Sequence, residues 1–316
     1  MQSAETTATT ANRNDAATAV AGKRLSTAPR SNWSQAARRF QRQRLAMAGI
    51  MVALILVLVA LFAPLIAPTH YEKSDLMAAS LFPSWEYPFG TDAIGHDYLS
   101  RIIYGLRTSL VVGFAAVLVA CLIGVPLGLL AGLRGGMVDF VVMRVVEVMN
   151  AFPGILFAIF LISVVNSGVM GGVFSNEVVN IIFVIGVTSW VLICRLTRAQ
   201  LLSLREQEYV AAARSIGASE WSIAVRHLLP NALSPMIVAV TLSVPAAIFT
   251  EAGLSFLGIG INEPTPSLGK MVADSAPYLQ VYWYLGFFPT LAIALIMLSF
   301  TFVGDGLRDA LDPRQT

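Results

Sequence analysis

Six runs of apolar residues, separated by polar or turn-forming segments, limit what this chain can fold into more than any other feature. They extend over about 46–68, 108–133, 137–165, 178–196, 234–257 and 284–303. An α-helix rises 1.5 Å per residue, so about 20 apolar residues bridge a hydrocarbon core about 30 Å thick. Only 13% of the 316 residues are charged, where a soluble domain carries about a quarter. The expected class is therefore all-α, a polytopic membrane protein with six transmembrane helices, and a large soluble core is excluded. The net charge of +2 says little, because charges in such a protein sort by side of the membrane. Cys121 and Cys194 both fall inside apolar runs, which reads as two small buried hydrophobes rather than a disulfide.

Residues 1–30 are rich in Ala, Thr, Ser and Asn without apolar periodicity and read as a disordered cytoplasmic tail without a signal peptide. In the segment 31–44, Trp33, Ala36, Ala37 and Phe40 recur at helical spacing among Arg38, Arg39, Arg42 and Arg44. That pattern predicts an interfacial amphipathic helix against anionic membrane lipids. Nucleic acid is not an expected partner, since a membrane span follows directly. The same arginines predict cytoplasmic N- and C-termini around an even number of spans.

The segment 69–107 reads as extracytoplasmic, with Asp97 as N-cap of a helix whose Leu99, Ile102, Ile103 and Leu106 share one face. A metal site at Asp92, His96 and Asp97 is set aside, because a ligand geometry is not assured by these three residues. Gly113, Gly124, Gly128 and Gly132 in the second run are small residues that let helices approach closely. In the third run Arg144, Glu147 and Asn150 fall on successive turns before Pro153. Ionisable groups at that depth face a pore, a partner or each other, and Arg144 with Glu147 forms a possible (i, i+3) pair. Glu251 lies near the outer end of the fifth run, which Pro235 and Pro245 are expected to kink. Glu147, Asn150 and Glu251 are the candidates for a translocation path. The loops at 166–177 and 259–282 are expected outside.

The longest helix-forming polar stretch after the first span is 204–233. Ala211, Ala212, Ala213 and Arg214 favour a helix, Gly217 supplies its left-handed stop, and Ser219 caps a second helix with Glu220 in its first turn. Pro230 is expected to end that second helix. Such a hairpin is either a loop that happens to be helical or a docking element that passes motion from a soluble partner to the neighbouring spans.

This stretch resembles the EAA loop of ABC-importer permeases. Ala212, Ala213, Gly217, Leu229 and Pro230 stand in register with it, while Ala211 replaces the usual glutamate and His227 the usual isoleucine. Glu208 lies one helical turn before Ala211. The run Phe89, Gly90, Thr91, Asp92, Gly95, Asp97, Ser100, Arg101, Gly105, Arg107, Ser109 and Leu110 is similar to a signature of the dipeptide/oligopeptide branch, with His96 in place of arginine. The segment EPTPSLGKMVADS and the closing Gly304, Asp305, Leu307, Arg308, Asp309, Leu311, Asp312 and Pro313 resemble two further motifs of that branch. Leu307, Ala310 and Leu311 read as one side of a short amphipathic stub.

The resemblance covers nearly all of the chain from Trp33 to Pro313. It implies a type I ABC importer permease fold and the C-type permease subunit of a peptide importer. It also implies a sister permease, two ATPase subunits and an extracytoplasmic solute-binding protein as partners. The implied ATPase-coupling residues are Ala212, Ala213, Gly217, Ala218, Ser219, Glu220, His227, Leu229 and Pro230. The implied extracytoplasmic motif is Asp92, Gly95, His96, Asp97 and Arg101. No G-x-x-x-x-G-K-S/T loop, G-x-S-x-G elbow or H-E-x-x-H helix occurs in the chain. The expectation is therefore a transport subunit that is not an enzyme and holds no cofactor, with ATP and Mg on the partner ATPases. An ion-driven secondary transporter using Glu147 and Glu251 is the competing class, but the chain has too few spans for two halves. Within the resembling branch the cargo is a dipeptide, a longer peptide, glutathione, a nickel chelate or an oligosaccharide.

Overall fold

The computed structural model describes residues 32–167 and 176–311. The expected tail at 1–30, most of the loop at 166–177, and Asp312 and Pro313 lie outside those residues. Helices α1 (Asn32–Arg42), α2 (Arg44–Leu61), α3 (Ala63–Ile66), α4 (Tyr98–Arg134), α5 (Gly136–Ala151) and α6 (Gly154–Asn166) form the first half. Helices α7 (Glu177–Arg205), α8 (Glu208–Ser215), α9 (Glu220–Ile223), α10 (Leu229–Phe256), α11 (Leu268–Ser275) and α12 (Trp283–Leu311) complete the chain. Among the described residues there is no strand, only the isolated bridges Ser74–His96 and Thr91–Asp97.

Five helices are long and apolar enough to cross a membrane, namely α2, α4, α7, the continuous helix Glu220–Phe256, and α12. The third apolar run is not a straight span. It breaks between α5 and α6 with a bend of 96°. Phe152 there is extended (φ −90°, ψ 137°), because the ring of Pro153 disfavours the α region in the residue before it. Three other boundaries differ from expectation. The second run is the interior of a 37-residue helix that starts at Tyr98, where Asp97 accepts from the Ser100 N–H at 2.9 Å. The loop at 259–282 contains α11, and the C-terminal stub is the last turns of α12 rather than a separate element.

The core is a helix pair. Along α4, glycines at four-residue spacing remove the side chains that would hold α7 away. A Cβ on Gly124 would lie 2.7 Å from the Trp190 carbonyl oxygen, and one on Gly128 would lie 2.5 Å from that of Cys194. Gly132 meets Leu201 in the same way, whereas Gly113 turns to α10 and the Ile248 side chain. Close backbone approach maximises dispersion contact where the lipid offers no hydrophobic drive to association.

On the other side, Gly49 of α2 packs against Phe302 and Ser299 of α12. Helix α1, expected to lie on lipid, docks on protein. Phe40 and Gln43 cover Gly306 of α12, and the Gln43 amide donates to Asp309 at 3.2 Å. The chain ends of α1 and α12 therefore meet at the end of the bundle where α4 finishes, opposite the end where α4 begins.

Candidate functional site

The hairpin after α7 is built around a left-handed glycine. The Ala218 N–H donates to the Ala213 carbonyl at 3.1 Å, and the Gly217 N–H donates to that of Arg214 at 3.0 Å. This pattern is a Schellman cap, which requires Gly217 at φ +82°. A Cβ there would meet nothing within 4 Å, so the demand for glycine is conformational rather than steric. Ser219 then caps α9 by accepting from the Ser222 N–H at 3.3 Å. Across the bend, the Arg214 guanidinium donates to both Glu220 carboxylate oxygens at 2.7 and 3.1 Å.

One expectation is overturned here: Pro230 does not end the second helix. Ala224–Leu228 form a π-helical turn that runs directly into α10, with Pro230 in its first turn. A widened turn accommodates a residue that has no N–H to donate and whose ring would clash with the preceding turn. The short helix is thus the near end of one continuous helix from Glu220 to Phe256, 37 residues long and so about 55 Å. His227 sits exposed in the π turn, where its carbonyl accepts from the Asn231 amide at 2.7 Å.

The hairpin has two apolar faces. Underneath, Val210, Ile223, Ala224 and Leu228 are buried against Leu129 of α4 and Leu201 of α7, with Ala213 and Ala218 at the margin. Away from that packing, Ile216 is 85% and Trp221 62% exposed, and Ala212 is exposed as well. A clamped element with bare apolar side chains can receive a partner and pass on its displacement.

The Arg214–Glu220 clasp lies outside the apolar runs and joins the two helices of the hairpin. Arg214 holds the Glu220 carboxyl below the usual carboxylate range. A carboxyl depressed in the folded state contributes stability above the ordinary carboxylate range, and that contribution is lost as pH falls through the lowered value. Both groups are more than a third exposed, so solvent keeps the effect small. We expect amide hydrogen exchange at 217–219 to accelerate on acidification in the wild type, beyond the intrinsic pH dependence, and to show no such excess in Glu220→Gln.

At the opposite end of the bundle the motif expected to be extracytoplasmic forms one cluster at the start of α4. The Asp92 carboxylate accepts from the His96 backbone N–H at 2.9 Å, and its other oxygen lies 2.7 Å from His96 Nδ1. Buried Arg101 reaches the same ring nitrogen at 2.9 Å and donates to Glu263 at 2.6 and 3.2 Å. Gly95 (φ +81°) is held 1.8 Å, measured from an added Cβ, against the Asp75 carbonyl. Asp97 turns away to Ser100. Glu263 was not singled out from sequence; it lies 162 residues from Arg101, and only its place beside the PTP segment marked it.

Of the path candidates, Glu147 and Asn150 are exposed on α5 near the Pro153 break. The expected Arg144–Glu147 pair forms at 2.6 Å with both side chains about 60% exposed. Glu251 differs. It has no exposed surface and is enclosed within this chain by the hydroxyls of Ser109, Ser255 and Ser267. A further pair that sequence reasoning missed, Asp139–Arg198, ties α5 to α7.

The fold is that of a polytopic, all-α membrane protein, with a bent polar hairpin at one end and a charged cluster at the other. This chain belongs to the family of binding-protein-dependent transport system inner membrane components, whose model matches residues 124–316. Residues 31–83 match the N-terminal TM domain of oligopeptide transport permease C. The oligopeptide transport system permease protein OppC of Bacillus subtilis is 39% identical over 95% of both chains. The dipeptide transport system permease protein DppC of the same organism is 41% identical, over 88% of this chain and 84% of its own. The glutathione transport system permease protein GsiD of Escherichia coli is 40% identical, over 90% and 91%. Among solved structures, an inward-facing form of the MetNI methionine ABC transporter superposes with a TM-score of 0.56 at 20% identity. It covers 67% of this chain and 96% of its own, a likeness of fold.

Proposed function

We propose that this chain is one of two permease subunits in an ATP-driven, binding-protein-dependent importer of di- and oligopeptides. The observation that carries the reading is the lever: a bend clamped by a Schellman cap and an ion pair, continuous with a membrane-spanning helix, and bare on its outer apolar face. In this reading the lever and both termini are cytosolic, on the side where Arg195, Arg198, Arg205, Arg214 and Arg226 collect. Two ATPase subunits hold ATP and Mg; this chain supplies no hydrolytic group. A solute-binding protein delivers cargo to the end carrying Asp92 and Arg101.

Closure of the ATPase dimer pushes on Ile216 and Trp221. The continuous helix carries that push into the bundle and biases it between two access states. Glu147 and Asn150 line the path beside the broken span, where freed backbone groups at membrane depth need water or protein as neighbours. Cargo in the peptide class is supported by the similarity to oligopeptide and dipeptide permeases.

The test is uptake of radiolabelled tri-alanine by proteoliposomes holding the four-subunit complex and its binding protein, with glutathione, a nickel chelate and an oligosaccharide run alongside. ATP-dependent peptide uptake is expected. Uptake driven by an ion gradient without ATP would sink the reading, and preference for nickel or sugar would remove the peptide assignment.

A further inference from the structure

Glu251 has no part in the mechanism above, yet it is fully buried, and a buried carboxylate persists only where specific groups satisfy it. Its partners come from three places. Ser109 of α4 donates to one carboxylate oxygen at 3.0 Å, while Ser255 of α10 and Ser267 donate to the other at 2.8 and 2.6 Å. Ser267 is the N-cap of α11, and Ser255 also accepts from the Ile261 N–H at 3.2 Å. The backbone closes around this node. A Cβ on Gly269 of α11 would lie 2.4 Å from Ala252 of α10, and one on Gly260 would lie 2.2 Å from the Ser255 hydroxyl. Helix α11 is thus sutured to the far end of the same continuous helix whose near end is the lever. It also forms one wall, through Met271 and Asp274, of the cleft of about 180 Å³ that Arg101 and Glu263 complete.

We propose that Glu251 is a positioning residue that makes the outer helix α11 follow the lever, so that displacement at Glu220 is delivered to the outer charged cleft at the other end of the bundle. The inference rests on the transporter reading above. It differs from a path or proton-site role, because the carboxylate faces hydroxyls of its own chain rather than an opening. A continuous helix from Glu220 to Phe256 whose Glu251 carboxylate accepts three hydrogen bonds meets the requirement of a contiguous physical connection between the two ends.

The experiment uses the reconstituted four-subunit complex. ATP hydrolysis is measured with and without the system's solute-binding protein loaded with tri-alanine. In Glu251→Leu, stimulation by the loaded binding protein is expected to fall at least about fivefold, the lower range of a measurable coupling, with basal hydrolysis and complex yield unchanged. Glu251→Gln, which keeps acceptor and donor atoms for the serines, is expected to retain most of the stimulation. Gly269→Val, which lifts α11 from α10 and leaves the carboxylate in place, is expected to reproduce the leucine phenotype. Full stimulation in Glu251→Leu overturns the proposal. So does a parallel loss of yield, basal hydrolysis and stimulation that glutamine does not rescue, because that is the signature of a merely structural group. A wild-type complex that hydrolyses no ATP with any ATPase partner fails earlier and sinks the transporter reading itself.

Discussion

Replacement of Gly128 by valine is expected to unfold the α4–α7 pair, with the largest stability loss of any single substitution considered. The added Cβ would lie 2.5 Å from the Cys194 carbonyl oxygen, 2.7 Å from the Thr197 Cβ and 3.2 Å from the Arg198 backbone nitrogen. None of these atoms can rotate away, so the helices themselves must part. Overpacking a well-fitted interior costs about 1–3 kcal/mol and occasionally more, and here the whole glycine seam from Gly124 to Gly132 would lose contact together. Thermal unfolding of the detergent-purified protein should show a large drop in midpoint and a poor yield. Gly253→Ala is the control. No atom lies within 4 Å of its added Cβ, so alanine should leave the midpoint unchanged or raise it slightly. A Gly128→Val protein as stable as wild type would show that the two helices do not pack as described.

Gly217→Pro is expected to abolish uptake while leaving the membrane bundle folded and the external binding protein able to dock. Proline is locked near φ −65°, whereas this position sits at φ +82° and donates to the Arg214 carbonyl. Both the turn and one of its two cap hydrogen bonds are lost, and the lever can no longer hold its angle. Losing a coupling of about 1–3 kcal/mol corresponds to a 5–150-fold change, so uptake should fall by more than about tenfold. Gly217→Ala has free space around it and faces only the left-handed penalty of about 1–2 kcal/mol, which predicts an intermediate rate. A bulky residue at Ala213, on the packed margin of the hairpin, should behave like proline. Normal uptake by Gly217→Pro would count heavily against the lever.

These two glycines also mark how far the sequence alone reaches. Gly217 was readable because its role is local: a left-handed stop needs only the helix before it and the cap after it, and Ser219, Glu220 and Asp97 were legible for the same reason. Gly113 and Gly128 look alike in the sequence, yet they face α10 and α7 respectively, a distinction set by how the helices cross. Pro230 and Pro153 make the same point from the other side. Each forbids a normal backbone hydrogen bond, but one follows a π turn inside a continuous helix and the other sits at a 96° break.

Length and polarity along the chain were enough to settle that this protein crosses a membrane on helices, and the caps and motifs were enough to locate its bent hairpin. Both follow from interactions among residues close in sequence and from the solvent in which the backbone must satisfy itself. The tertiary structure alone decided that Arg101 pairs with Glu263, that Glu251 is enclosed by three serines, and that the second helix of the hairpin and a span are one helix. Those partners are separated by as many as 162 residues, and no local pattern encodes which distant side chain will meet a given one once the helices have packed.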